Sequence, residues 1–245
     1  MRTEDKKARP VNNTVHIIMN PSQILTQLKE MANPQIAEYK LKHGSLAKNS
    51  YGIMVKDLRK MAKEIGTNHL LALKLFKLNI HEAKKLASMI DDPQKVTESQ
   101  METWVKKFDS WDICDCCCSS LFVKTNFAYT KALEWNKRKD EYEKRAAFTL
   151  MAHLVFHDKI GMDSKFEQFF PIILCESTDK RNFVKKAVNW ALRQIGKRNV
   201  NLNKKAIAVA NEILKIDSKS AQWIANNALH ELTGDKINIL NYPRN

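Results

Sequence analysis

Apolar residues recur every three or four positions through one segment after another of this chain. Val184, Val188, Ala191, Leu192 and Ile195 make one such stripe; Ala147, Leu150, Met151 and Leu154 make a second, and Ile113, Cys114, Cys117 and Leu121 a third. That period reads as the buried face of an amphipathic helix. Start signals agree with it. Asn20-Pro21 and Asn33-Pro34 each set a capping residue before a proline suited to the first helical position. Thr97-Glu98-Ser99-Gln100 has the form of a capping box. Together these features predict helices over 21–32, 34–43, 55–65, 69–78, 80–90, 98–107, 111–123, 126–136, 140–157, 164–174, 181–199, 203–215 and 219–232. The connections are short, so successive helices should run antiparallel. Residues 1–15 and 235–245 read as tails around one unit spanning 16–234. The pattern suits stacked helix pairs of the degenerate HEAT-like kind. A compact helical bundle fits the periodicity equally well.

Composition narrows the class. Six Gly and six Pro among 245 residues come to about 5%, against an average near 12%. Sheet proteins need turn residues more often than that, so the chain is expected to be all-α. No apolar run approaches the roughly 20 residues that span a bilayer. Residues 1–13 lack the apolar core of a signal peptide. A soluble, cytoplasmic protein is expected, acting as a monomer with no obligate protein partner.

Charge then points to a partner. Lys and Arg outnumber Asp and Glu by 41 to 27, for a net charge of +14. Such an excess suits a polyanion, nucleic acid first and an anionic membrane surface second. The excess is densest over residues 180–205, where nine basic residues stand with no acid between them. Lys186, Trp190, Arg193 and Lys197 lie opposite the apolar stripe of that helix, and Lys185 and Arg198 add to the charge. Trp190 either packs on a neighbouring helix or offers its ring to a sugar or base among phosphate-binding cations. The interleaving favours nucleic acid over membrane. Trp111 and Asp115, spaced i and i+4, similarly share a stripe away from their helix's apolar one. Asp109, Ser110 or Asp112 would cap that helix, and Arg145 would form a buried salt bridge or point elsewhere than the core.

The five cysteines, four of them between Cys114 and Cys118, suit reduced thiols rather than a disulfide framework. Cys114, Cys117 and Cys118 could approach one another, and His153 and His157 are spaced i and i+4 on a helix. The segment lacks the paired C-x-x-C units of a standard zinc site, however, and adjacent helical cysteines diverge around the axis, so no metal and no cofactor is expected. There is no phosphate-cradling Gly loop, no G-x-S-x-G and no EF-hand loop.

Three blocks of residues together carry a resemblance: Phe108-Asp109-Ser110-Trp111-Asp112-Ile113-Cys114-Asp115, Lys144-Arg145-Ala146-Ala147, and the run from Asn182 through Trp190 to Arg193. From about Pro34 to Leu232 the chain resembles the DNA alkylation repair family, the AlkD-type alkylpurine glycosylases. The resemblance implies a right-handed superhelix of HEAT-like helix pairs whose concave face holds duplex DNA containing alkylated purines. It implies hydrolysis of the N-glycosidic bond of purines alkylated at N3 or N7. Trp111 and Trp190 would flank the deoxyribose, Asp115 would be the catalytic carboxylate, and Arg145 the arginine beside it. Two positions depart from the family pattern. Ser110 stands where the best-known members have a further tryptophan, and His43 stands in place of a site-lining tyrosine. A non-enzymatic binding module needs the basic face but has no use for Asp115 beside Trp111. A metal-dependent enzyme built on the cysteines and histidines is the third reading.

Overall fold

A computed structural model of the chain describes residues 20–42 and 49–243, so the N-terminal segment read as a tail lies outside the described residues. Seven helices occupy the first half: α1 (Pro21–Glu30), α2 (Pro34–Lys42), α3 (Val55–Ile65), α4 (His69–Phe76), α5 (His81–Ile90), α6 (Glu98–Val105) and α7 (Trp111–Ser120). After a 3-10 turn at Phe122–Lys124 come α8 (Ala128–Trp135), α9 (Glu141–His157), α10 (Ser164–Glu167), α11 (Phe170–Glu176), α12 (Asn182–Gly196), α13 (Val200–Leu214) and α14 (Lys219–Leu232). There is no strand among the described residues.

Local chemistry sets the helix ends. Asn20 accepts from the Gln23 amide at 3.0 Å and Gln23 accepts back from the Asn20 amide at 2.9 Å, a complete capping box ahead of Pro21. Asn33 caps α2 through the Ile36 amide at 3.1 Å. The box expected at Thr97 is only half made. Thr97 accepts from the Gln100 amide, but the Gln100 side chain donates to Asp91 at 2.7 Å instead of returning to Thr97. The segment expected as one helix over 164–174 divides into α10 and α11, with Pro171 in the first turn of the second. Proline has no amide hydrogen to give an interior turn, and the first turn needs none. α13 begins three residues earlier than expected because the Asn199 side chain accepts from the Leu202 amide at 2.8 Å. The preceding helix stops at Gly196, where a Cβ would stand 2.7 Å from a Leu232 methyl and 2.9 Å from Ala206 Cβ. A glycine there lets α12, α13 and α14 meet closely.

The helices pack in two layers. α3 packs on α5, α5 on α7, α7 on α9, α9 on α12 and α12 on α14, forming one continuous row. α4 lies against α5, α8 against α9, and α13 against both α12 and α14, forming the second layer. These are stacked antiparallel HEAT-like pairs, each sharing its core with its neighbours. A single apolar cluster accordingly runs from Ile24 to Leu232. The three stripes identified from periodicity lie in it, every member essentially inaccessible to solvent. The described part of the C-terminal segment is not a free tail. Leu240 donates its amide to the Lys197 carbonyl at 2.8 Å, and Tyr242 donates to the Arg198 carbonyl at 3.0 Å.

Candidate active site

The row α3–α5–α7–α9–α12 turns polar and aromatic side chains into a common cleft of about 640 Å3. α7 contributes Trp111 and Asp115, one helical turn apart; α9 contributes His153 and α12 contributes Trp190. Lys40 of α2, Lys56 and Arg59 of α3, Lys85 of α5 and Asp112 of α7 add to its charged lining. Residues far apart in the sequence converge here because successive repeats place equivalent faces side by side.

Asp115 is held from behind. Arg145 Nε donates to its Oδ1 at 2.9 Å and Arg145 Nη2 to its Oδ2 at 2.8 Å, a two-pronged pair, while Thr149 Oγ1 donates to Oδ1 at 3.2 Å. The remaining arm of Arg145 donates to the Phe183 carbonyl at 2.6 Å, tying α9 to the start of α12. Arg145 is only 6% exposed. Burial works against its charge, but the adjacent Asp115 carboxylate outweighs burial and raises its pKa above the ordinary arginine value. The Asp115 side chain keeps 23% of its surface exposed on the cleft side. The result is a carboxylate fixed in place, with a fully engaged back and an open front.

Trp190 stands beside it. Its ring meets His153 edge-on, with centroids 5.0 Å apart and planes at 85°. Burial lowers the His153 pKa, although the charge of Asp115 pulls the other way. A second carboxylate, Asp112, is committed elsewhere: its Oδ2 accepts from His81 at 2.8 Å and from Lys85 at 3.2 Å. Burial pushes its carboxyl up, yet His81 and Lys85 together hold it well below the usual carboxylate range. Lys40 donates to the Ile53 carbonyl at 2.8 Å, and its pKa is lowered by burial and then by the charge of Lys85. The cleft thus sets a fixed carboxylate and two indoles among cations. Such an arrangement stabilises a positive centre carried on a polyanion.

Comparison with known proteins gives the family and the fold. The family described as DNA alkylation repair enzyme matches residues 24–232. The chain belongs to that family. An uncharacterized protein of Listeria innocua, Lin0241, is 25% identical over 214 residues, covering 80% of this chain and 95% of that one. A second, Lmo0209 of Listeria monocytogenes, is 28% identical over 117 residues, covering 46% and 52%. Among solved structures, one belongs to a new family of proteins related to the HEAT-like repeat DNA glycosylases with affinity for branched DNA structures. It superposes with a TM-score of 0.71 at 20% identity, over 85% of this chain and 93% of that one. The structure of smu.31 from Streptococcus mutans superposes with a TM-score of 0.52 at 17% identity, over 82% and 97%.

In this chain Trp111, Asp115 and Trp190 line one cleft, and Arg145 pairs with Asp115 from behind it. None of the three polar residues expected to cap α7 does so. Ser110 makes no side-chain cap bond, Asp109 pairs with Lys84, and Asp112 pairs with His81 and Lys85. The basic residues divide. Lys186 is exposed, one turn before Trp190. Lys185, Asn189, Arg193 and Lys197 recur at four-residue intervals and form a polar seam with α14. Lys185 lies 4.8 Å from the Trp223 ring centre, Asn189 donates to Asn227 at 2.7 Å, and Arg193 and Lys197 both pair with Glu231. Glu231 is the acid that residues 180–205 lack. Arg198 requires a correction. Expected at a phosphate, it is instead fully buried, donating to the Val155 and Gly161 carbonyls at 2.9 and 2.6 Å beneath the Phe166 ring.

The sequence reading missed several lining residues. Tyr39 of α2, Arg59 and Lys85 all face the cleft, and His153, noted only as half of an i, i+4 pair, faces Trp190. His157 is exposed, and no group of three metal-ligating side chains converges among the described residues. His43 lies outside the described residues. Cys114, Cys117 and Cys118 are fully buried, Cys114 and Cys118 against α9 and Cys117 beside Ser88 of α5, and burial raises the Cys117 and Cys118 thiols well above their ordinary range. They serve as small packing groups where two helices approach closely. No helix among the described residues is long and apolar enough to cross a membrane.

Proposed function

We propose that this protein is a DNA glycosylase hydrolysing the N-glycosidic bond of purines alkylated at N3 or N7 in duplex DNA. The observation that carries the reading is the Asp115 carboxylate, clamped by Arg145 and Thr149, opening into a cleft that Trp111 and Trp190 also line. An N3- or N7-alkylated purine is already cationic, so it leaves without a general acid. As C1′–N breaks, the electron pair neutralises the departing base and positive charge moves to the sugar. Asp115 stabilises that charge and orients a water for attack at C1′, taking up the proton that the water loses as the new C–O bond forms. The indoles add cation–π attraction, on the order of 0.5–2 kcal/mol each. Because the Arg145 fork already fixes the carboxylate, little reorganisation is left for the reacting state.

The test is release of 7-methylguanine and 3-methyladenine from methylated duplex DNA under single-turnover conditions, comparing the native chain with Asp115→Asn. Release by the native chain and its collapse in the variant support the reading. A chain that binds duplex DNA but releases neither base is a binding module, and the glycosylase reading then fails.

A further inference from the structure

The basic stripe over α12 is largely engaged with α14, which leaves open where the charged backbone of a duplex would run. α3 offers an alternative that periodicity did not single out. Leu58, Met61 and Ile65 are its buried face; Lys56, Arg59 and Lys63, at i, i+3 and i+7, form a stripe on its exposed side. Lys56 and Arg59 line the candidate active cleft. Arg59 and Lys63 also line a second groove of about 470 Å3, which shares Arg59, Ser119 and Ser120 with the first and ends at Lys124.

This second groove has the chemistry of an anion site. Its polar lining is three cations, Arg59, Lys63 and Lys124, with the hydroxyls of Thr67, Ser119 and Ser120, and no carboxylate borders it. All three cations are exposed. None of them forms an ion pair among the described residues, in contrast to Arg193 and Lys197, which share Glu231. An unpaired cation in water retains its full attraction for a phosphate. One already held by a carboxylate must first give up that partner. Arg59 and Lys63 stand four residues apart on α3, roughly 6 Å along its axis, about the axial distance over which one strand presents two phosphates.

We infer that the strand leaving the cleft passes its phosphodiester groups along Arg59, Lys63 and Lys124, between α3 and the C-terminal end of α7. Resting on the reading of the cleft as a DNA site, this places a main phosphate-binding surface of the protein on its N-terminal half and not on the α12–α14 seam. Ser119 and Ser120 line both grooves and mark where they meet.

The test is binding of an undamaged duplex by fluorescence anisotropy over a range of NaCl concentrations. It compares the full-length native chain with the triple variant Arg59→Ala/Lys63→Ala/Lys124→Ala and with Arg193→Ala/Lys197→Ala. Removing one cation that neutralises a phosphate lowers the slope of log affinity against log salt by about 0.9. The triple variant should therefore have a slope smaller by about two to three, and the α12 variant a clearly smaller change. Thermal melting checks that the triple variant folds; if it does not, single substitutions at Lys63 and Lys124 should each reduce the slope by about one. An unchanged slope in these variants overturns the groove, even for a chain that releases methylated purines. A groove-dependent slope in a chain that releases no base supports the groove and overturns only the glycosylase.

Discussion

Two buried arginines, about fifty positions apart in the sequence, show how similar burial leads to different work. Arg145 is 6% exposed and Arg198 0%. Arg145 spends two arms on a carboxylate whose far side faces an open cleft. Arg198 spends two arms on main-chain carbonyls, at Val155 and Gly161, and lies between the rings of Phe166 and Tyr242. The first fixes a charged group at the edge of solvent; the second joins the end of α9, the loop after it and the C-terminal segment. Burial therefore does not mark a functional cation. What decides is whether its partner also faces a space that a ligand can enter.

The largest expected effect follows from the Arg145 side of that contrast. Asp115→Asn should lower single-turnover excision by about 10²–10³, roughly 3–4 kcal/mol of barrier, while affinity for undamaged duplex stays close to native. If excision is unaffected, Asp115 belongs with the structural residues and the contrast disappears. Next is Arg198→Met, which leaves two buried carbonyls unpaired at ~1–3 kcal/mol each. Denaturant melts should show a loss of roughly 2–6 kcal/mol, with the salt dependence of DNA binding unchanged. A slope smaller by about one would return Arg198 to the phosphate-binding set.

A finer test separates cations on one helix. Lys186→Ala should reduce the salt slope by about 0.9, because Lys186 is exposed and has no carboxylate partner among the described residues. Arg193→Ala should reduce it less, since Glu231 already holds that guanidinium. Equal reductions would make the α12–α14 seam part of the DNA surface. The smallest effect is in pH dependence. Burial lowers the His153 pKa below its ordinary 6.5. The folded protein therefore binds fewer protons than the unfolded chain as pH falls through 6.5, so stability drops below that pH and is unaffected above it. Melting temperatures at about pH 5.5 and about pH 7.5, on either side of the ordinary His pKa of ~6.5, should differ in this direction. His153→Gln should narrow the difference; the same pH dependence in the variant would assign the effect to other groups, His157 among them.

Much of this was legible along the chain because helices repeat their faces locally. The stripes at 113–121, 147–154 and 184–195 needed only the period of an α-helix, and each is buried as expected. Trp111 beside Asp115 was legible for the same reason, both residues lying within one turn. The errors occurred where a residue's partner came from another repeat. Arg193 and Lys197 looked free because Glu231 lies 34 positions or more downstream. Gln100 looked like half of a capping box because Asp91, its actual partner, belongs to the previous helix end.

The sequence by itself determined the helical class, the buried faces and most helix boundaries, and its resemblance to the family singled out Trp111, Asp115 and Trp190, which line the cleft, and Arg145, which stands behind it. These follow from spacing, capping chemistry and a motif set contained within single helices. Tertiary structure alone decided which charges remain available. It buried Arg198 under aromatic rings, paired Arg193 and Lys197, and clamped Asp115 by its back. It also set Arg59, Lys63 and Lys124 beside the cleft with no ion pair among the described residues. The physical reason is range. A helix face is set by neighbours three and four residues away, whereas the state of a charge depends on every carboxylate, carbonyl and solvent path within several ångströms. In stacked repeats those neighbours come from thirty or forty residues away.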